Sequence, residues 1–111
     1  MDPLKPIIID IQNKPKKIFE GGGFDIIAFS KEVGTSNISV HLGNIKPGQT
    51  HEWHSHEQDE IMYFVQGAGK YLLKDGEMHY KAGNFGFIPK GTMHKNVVLS
   101  KEDVIIVAVF N

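Results

Sequence analysis

His54 and His56 stand two residues apart within the segment 48–67, and this pair is where the chain carries its clearest chemical signal. Side chains two apart on a strand share a face, with their Cα atoms about 7 Å apart, so two imidazoles can converge on one ion. Glu60 follows a short polar turn, Glu57-Gln58-Asp59, and can return a carboxylate oxygen to the same point from the next strand. A third imidazole is available at His94, within a second stretch over residues 83–96. Three imidazoles and one carboxylate form a borderline-soft donor set. Such a set fits Mn, Fe, Co, Ni, Cu or Zn better than Ca or Mg. Taken singly, each residue has a blander explanation. A lone His-x-His can be two surface histidines, Glu60 a solvated strand end, and His94 an idle residue after a Pro-Gly turn. The joint spacing favours a metal site. A carboxylate ahead of the apolar run Ile61–Val65 also needs a partner if it points inward.

Several strands must exist for these donors to meet, and the hydrophobic pattern supplies them. Short β-branched or alternating runs fall at residues 7–11, 18–19, 24–30, 38–45, 60–66, 70–74, 77–80, 85–88, 94–99 and 104–110. Turn signals separate them: Lys46-Pro47-Gly48, Asp75-Gly76, Lys81-Ala82-Gly83 and Pro89-Lys90-Gly91. Residues 1–6 read as irregular and 31–37 as a polar loop. In the run 60–66, Glu60, Met62 and Phe64 share one face, and Ile61, Tyr63 and Val65 the other. Both faces are largely apolar, which predicts burial on both sides. No window keeps a helical period. Many short strands with closely spaced turns predict an all-β sandwich or barrel.

The two stretches resemble the two motifs of the cupin superfamily. The first is represented by Gly48, His54, His56, Glu60 and Gly67, the second by Gly83, Pro89, Gly91 and His94. Val98 stands where the family often has asparagine, although Asn96 lies two residues earlier and would face the same way. The resemblance implies a jelly-roll barrel, or double-stranded β-helix. It implies one cupin domain over residues 1–111, with N-terminal strands in 1–37, the first motif at 48–67 and the second at 83–98. It also implies one divalent transition metal on His54, His56, Glu60 and His94. It does not fix the reaction, because cupins include dioxygenases, isomerases, epimerases, decarboxylases, lyases, storage proteins and sugar-sensing domains. Retention of Glu60 separates this chain from the three-histidine cupins that oxidise thiols.

Composition narrows the rest. A chain of 111 residues fits one domain, and the absence of cysteine excludes disulfides and thiolate metal sites. All twelve basic residues are lysine, so no guanidinium fork is available to clamp phosphates or paired carboxylates. A net charge of −1 with scattered lysines offers no nucleic-acid footprint. No leader or membrane span is apparent, and a cytoplasmic protein is expected. Candidate catalytic groups are His51, Tyr71 and Asn96, with His41 a weaker one on the polar face of its strand. Strand alternation turns His51 away from His54, whereas Asn96 shares a face with His94 and can hold substrate or water. The expected function is a metal-dependent enzyme, of dioxygenase or isomerase type, acting on a small oxygenated substrate chelated to the metal. The alternative is a non-catalytic cupin that binds or senses a small molecule or sugar. The surplus of apolar strand surface predicts a homodimer, with exchange of the N-terminal strand as one route.

Overall fold

Alternation along the strands decides how the layers form. In the computed structural model, which describes residues 5–32, 35 and 37–111, the ordered elements are strands, and no helix occurs among the described residues. They are β1 (Lys17–Ile18), β2 (Phe24–Phe29), β3 (Ser39–Ile45), β4 (Thr50–His54), β5 (Glu60–Gln66), β6 (Ala68–Leu73), β7 (Gly76–Lys81), β8 (Phe85–Ile88), β9 (His94–Val98) and β10 (Val104–Phe110). One sheet has the order β1-β2-β3-β10-β5-β8, the other β4-β9-β6-β7. All strand pairs in both ladders are antiparallel. This is the two-sheet, all-β architecture that the turn spacing predicted, in the jelly-roll form that the resemblance implied.

The core lies between the sheets. Met62 and Phe64 of β5, Tyr71 of β6, Tyr80 of β7, Ile88 of β8 and Val104, Ile106 and Ala108 of β10 form one buried cluster. Phe64 is 1% exposed and stacks on Tyr80 with centroids 4.0 Å apart. Burying a side chain of this size contributes about 1.5–3 kcal/mol before any stacking gain. Gly86 lies opposite Met62, and a Cβ there would come 2.7 Å from Met62 Cε. The glycine therefore lets β8 close over the cluster.

Three expectations need correction or limits. The run 7–11 forms no strand; Ile7 is 50% and Ile8 100% exposed. β-propensity needs a strand edge to pair with and a face to pack on, and this run finds neither among the described residues. The second concerns β5, which is buried on one side only. Ile61, Tyr63 and Val65 are exposed, because the second sheet covers the inner face alone. Finally, the irregular start expected over 1–6 and the loop expected over 31–37 fall in part outside the described residues. The other expected strands lie within about two residues of their bounds, and β4 (Thr50–His54) adds a strand that the hydrophobic runs did not delimit.

Candidate metal centre

The site grows out of the pairing between β4 and β9. Thr50 opposes Val97 and His51 opposes Asn96, but the next pair is His54 with His94. β4 advances three residues while β9 moves back two, so β4 carries a bulge between His51 and His54. The extra residue cancels the alternation. His51 therefore does not face away from His54, as simple periodicity predicts. Its ring stacks on His54 at 3.8 Å and on Phe19 at 3.5 Å.

His56 lies just past the end of β4, in the turn leading to β5, rather than on a shared strand with His54. A different device aims it. In each of His54, His56 and His94, Nδ1 faces a backbone carbonyl two residues away: Glu52 at 2.7 Å, Gln58 at 3.0 Å and Thr92 at 2.7 Å. A carbonyl only accepts, so each Nδ1 carries the proton and each Nε2 keeps its lone pair. This is how proteins orient imidazole ligands. One nitrogen from each of the three rings lies within 4.8 Å of the others, a cluster that can hold a metal ion.

Glu60 enters from β5, in the opposite sheet, and is 7% exposed. Its Oε1 lies 3.1 Å from His56 Nε2 and 3.9 Å from His94 Nε2. A carboxylate oxygen and an imidazole lone pair at this separation repel unless a proton or a cation lies between them. The three imidazoles fit a divalent ion by chemistry and by position, and the Glu60 carboxylate lies beside two of them.

Electrostatics support neutral imidazoles. Burial pushes His51 down to about 3, with the neighbouring His54 and His94 rings adding to the effect. Burial likewise takes His94 down to about 4, opposed by the Thr92 carbonyl. His54 is lowered by burial against the pull of the Glu52 carbonyl. Burial raises Glu60, and the nearby His56 works against that rise. Neutral rings are the state a metal needs.

The other candidates gather around this cluster. Tyr71 is 4% exposed, and its ring meets His94 at 5.7 Å. Burial lifts its phenol well above the usual range, so the hydroxyl stays protonated at neutral pH. Asn96 is 2% exposed, sits opposite Tyr71 in the β6–β9 pair and accepts a hydrogen bond from Tyr80 Oη. The Asn96 carbonyl is therefore already engaged by protein. A cavity of about 650 Å³ opens over the cluster, within the range of small-molecule sites. Its walls include Ile18, Phe19, Ile45, Ile106, Ala108 and Phe110.

One feature escaped the sequence. His41 on β3 and Asp25 on β2 also line this cavity and lie 2.8 Å apart. The signal was Asp25 itself, a carboxylate inside the apolar run Phe24–Phe29, where it requires a partner.

Residues 41–110 match the cupin domain family. The chain belongs to the cupin family. An uncharacterised protein of Aquifex aeolicus is 33% identical to this cupin over 73 residues, a match spanning 66% of this chain and 60% of the relative. Among solved structures, a predicted oxalate decarboxylase of Thermotoga maritima superposes with a TM-score of 0.80 at 20% identity, over 94% of this cupin and 97% of that chain. The polyketide cyclase RemF of Streptomyces resistomycificus does so with a TM-score of 0.80 at 16% identity, over 96% and 79% of the two chains. The oxalate decarboxylase of Lactobacillus farciminis gives 0.76 at 28% identity, over 88% of this cupin but 31% of that longer chain. These likenesses establish the fold. The activities named for them belong to those proteins.

Proposed function

We propose that this cupin is a metal-dependent enzyme that holds one divalent transition metal on His54, His56, Glu60 and His94. Its substrate is a small, uncharged oxygenated molecule bound at that metal. The observation that carries this reading is the shared Nδ1-to-carbonyl tether of the three histidines, which aims three lone pairs at one point on the cavity floor. Once bound, a metal supplies Lewis acidity to a coordinated oxygen. The protein's own part is to keep the His54 and His94 rings neutral, to present the Tyr71 hydroxyl and to wall the site with Phe19 and Phe110. The cavity lining holds the carboxylates of Glu20, Asp25, Glu52 and Glu60 against the single ammonium of Lys17. That balance favours a neutral ligand over a dicarboxylate, and no guanidinium is present to change it.

The test is a turnover screen of protein loaded separately with Mn, Fe, Co, Ni and Zn, using hydroxyketones, sugars, catechols, diketones and oxalate. Metal-dependent conversion of an uncharged chelator, with oxalate inert, is expected. Tight ligand binding without turnover under every metal would leave a non-catalytic binding or sensing cupin instead.

We also propose a homodimer formed through the outer face of the six-stranded sheet. Ile61 pairs with Phe87 and Tyr63 with Phe85, and all four side chains are exposed. Val65 continues the patch. A contiguous apolar surface of this kind marks an interface. Light scattering on a size-exclusion column should give twice the monomer mass at micromolar concentration, and Ile61→Lys with Phe85→Lys should halve it. A wild-type monomer would contradict this. We propose a cytoplasmic location, in keeping with the cysteine-free composition.

A further inference from the structure

Beyond the four metal donors, the cavity holds a second pair of ionisable groups. Asp25 Oδ2 lies 2.8 Å from His41 Nδ1. A carboxylate only accepts, so the proton sits on Nδ1 and Nε2 of His41 keeps its lone pair. Among the described residues, no hydrogen bond engages that Nε2. Asp25 is 8% exposed, and its Oδ1 has no hydrogen-bond partner among the described residues. Gly43, with no side chain, stands opposite Asp25 in the β2–β3 pair. Both members line the same cavity as the histidine cluster. The Phe110 ring touches His41 at 4.7 Å and His56 at 5.0 Å, so one ring connects the pair to the cluster.

A pair kept only for stability would close both carboxylate oxygens, and an apolar pair of similar volume would serve a cavity wall as well. This pair instead has the parts of a general base: an orienting carboxylate, a fixed tautomer and an unengaged nitrogen. We propose that Asp25–His41 is the acid–base pair of this pocket, with His41 the proton-transfer group and Asp25 its positioning residue. The substrate class is a hydroxyketone or hydroxyaldehyde. The inference rests on the metal-dependent reading above and narrows it to isomerase-type proton transfer.

The step balances without an oxidant. The C–H bond next to the carbonyl breaks, and its proton forms the new Nε2–H bond on His41. The electron pair becomes the C=C bond of an enediolate, whose charge rests on the former carbonyl oxygen. The hydroxyl proton passes to that oxygen. His41 then returns its proton to the former carbonyl carbon, and the isomeric hydroxycarbonyl results. Tyr71 and the apolar walls shield the intermediate from water.

The experiment uses zinc-loaded protein with dihydroxyacetone in D₂O, following deuterium entry at carbon and glyceraldehyde formation by proton NMR. Wild type should exchange faster than free zinc. His41→Gln should lose about 10²–10⁴-fold, the usual worth of a general base. Asp25→Asn should also lose rate, and both variants should keep wild-type zinc content. A second readout needs no metal: nitrogen-15 NMR of the histidine rings in metal-free protein. His41 should carry its proton on Nδ1 in wild type and move toward the Nε2–H tautomer in Asp25→Asn. Exchange in His41→Gln equal to wild type, or zinc-loaded wild type no faster than free zinc, overturns the proposal. So does an Nε2–H tautomer for His41 in the wild type. If the protein takes up no metal, the metal-dependent reading fails first, and the tautomer readout still decides the pair.

Discussion

Replacing both His54 and His94 by alanine should abolish the stabilisation that divalent metal gives this protein. Outer-sphere partners of metal ligands cost 10–100-fold in affinity when removed, so each direct ligand should cost at least about 100-fold. In wild type, free metal at 100 times its dissociation constant adds about 2.7 kcal/mol to stability. For a domain of this size that raises the melting temperature by roughly 10–20 °C. The double variant should show no such rise at the same metal concentration. The comparison must be of the metal-induced shift and not of melting temperature itself. His94 is 1% exposed, and its truncation leaves a void beneath Tyr71 whether or not metal binds. Differential scanning fluorimetry with and without Zn, Ni and Mn checks the prediction. An undiminished shift in the double variant would place the metal elsewhere.

Acidification of the metal-free protein should give the second large effect. His51 falls to about 3 and His94 to about 4 in the fold, chiefly through burial, and His54 is lowered for the same reason. In the unfolded chain these rings titrate near 6.5. Between those values the unfolded state binds more protons than the fold, so stability falls as pH falls. The full contribution is present above about pH 6.5 and is lost progressively toward pH 4 and 3. Each histidine contributes a slope of up to about 1.4 kcal/mol per pH unit, less where solvent reaches the ring. Glu60 acts in the opposite sense, because burial raises its pKa and acid relieves that cost. It is one group against three, so the net sign is destabilisation. Urea midpoints should therefore drop steadily from pH 7.5 to pH 5. A flat profile across that range would mean that the rings are not held neutral by the fold.

The candidate metal donors stand out in the sequence because local turns place most of them. Gly67, at φ 84°, closes the strand that Glu60 opens, and a Cβ there would lie 2.7 Å from the Asp103 carbonyl. Gly91, at φ 80°, lets the chain turn directly into His94. Such turns leave a mark in residue type. The bulge in β4 leaves none, since its signature is a register offset against β9, so period-two counting misplaced His51. The Asp25–His41 pair depends on contact across 16 residues between β2 and β3: Asp25 within its apolar run signals a need for a partner, but nothing local says that the partner is His41. For residues 7–11 and the outer face of β5, composition told apolar from polar but not which surface would be covered. That is decided by how many layers the fold supplies, and there are two sheets, each covered on one side.

The claim that His54, His56, Glu60 and His94 hold a resident metal is tested most directly by plasma mass spectrometry. The sample is protein purified without a histidine tag or chelator, run beside the His54→Ala, His94→Ala variant. Close to one equivalent of a transition metal per chain in wild type, lost in the variant, is the expected result. Wild-type protein that stays metal-free even after reconstitution with Mn, Fe, Co, Ni, Cu and Zn would contradict the account and leave the four donors without a metal role.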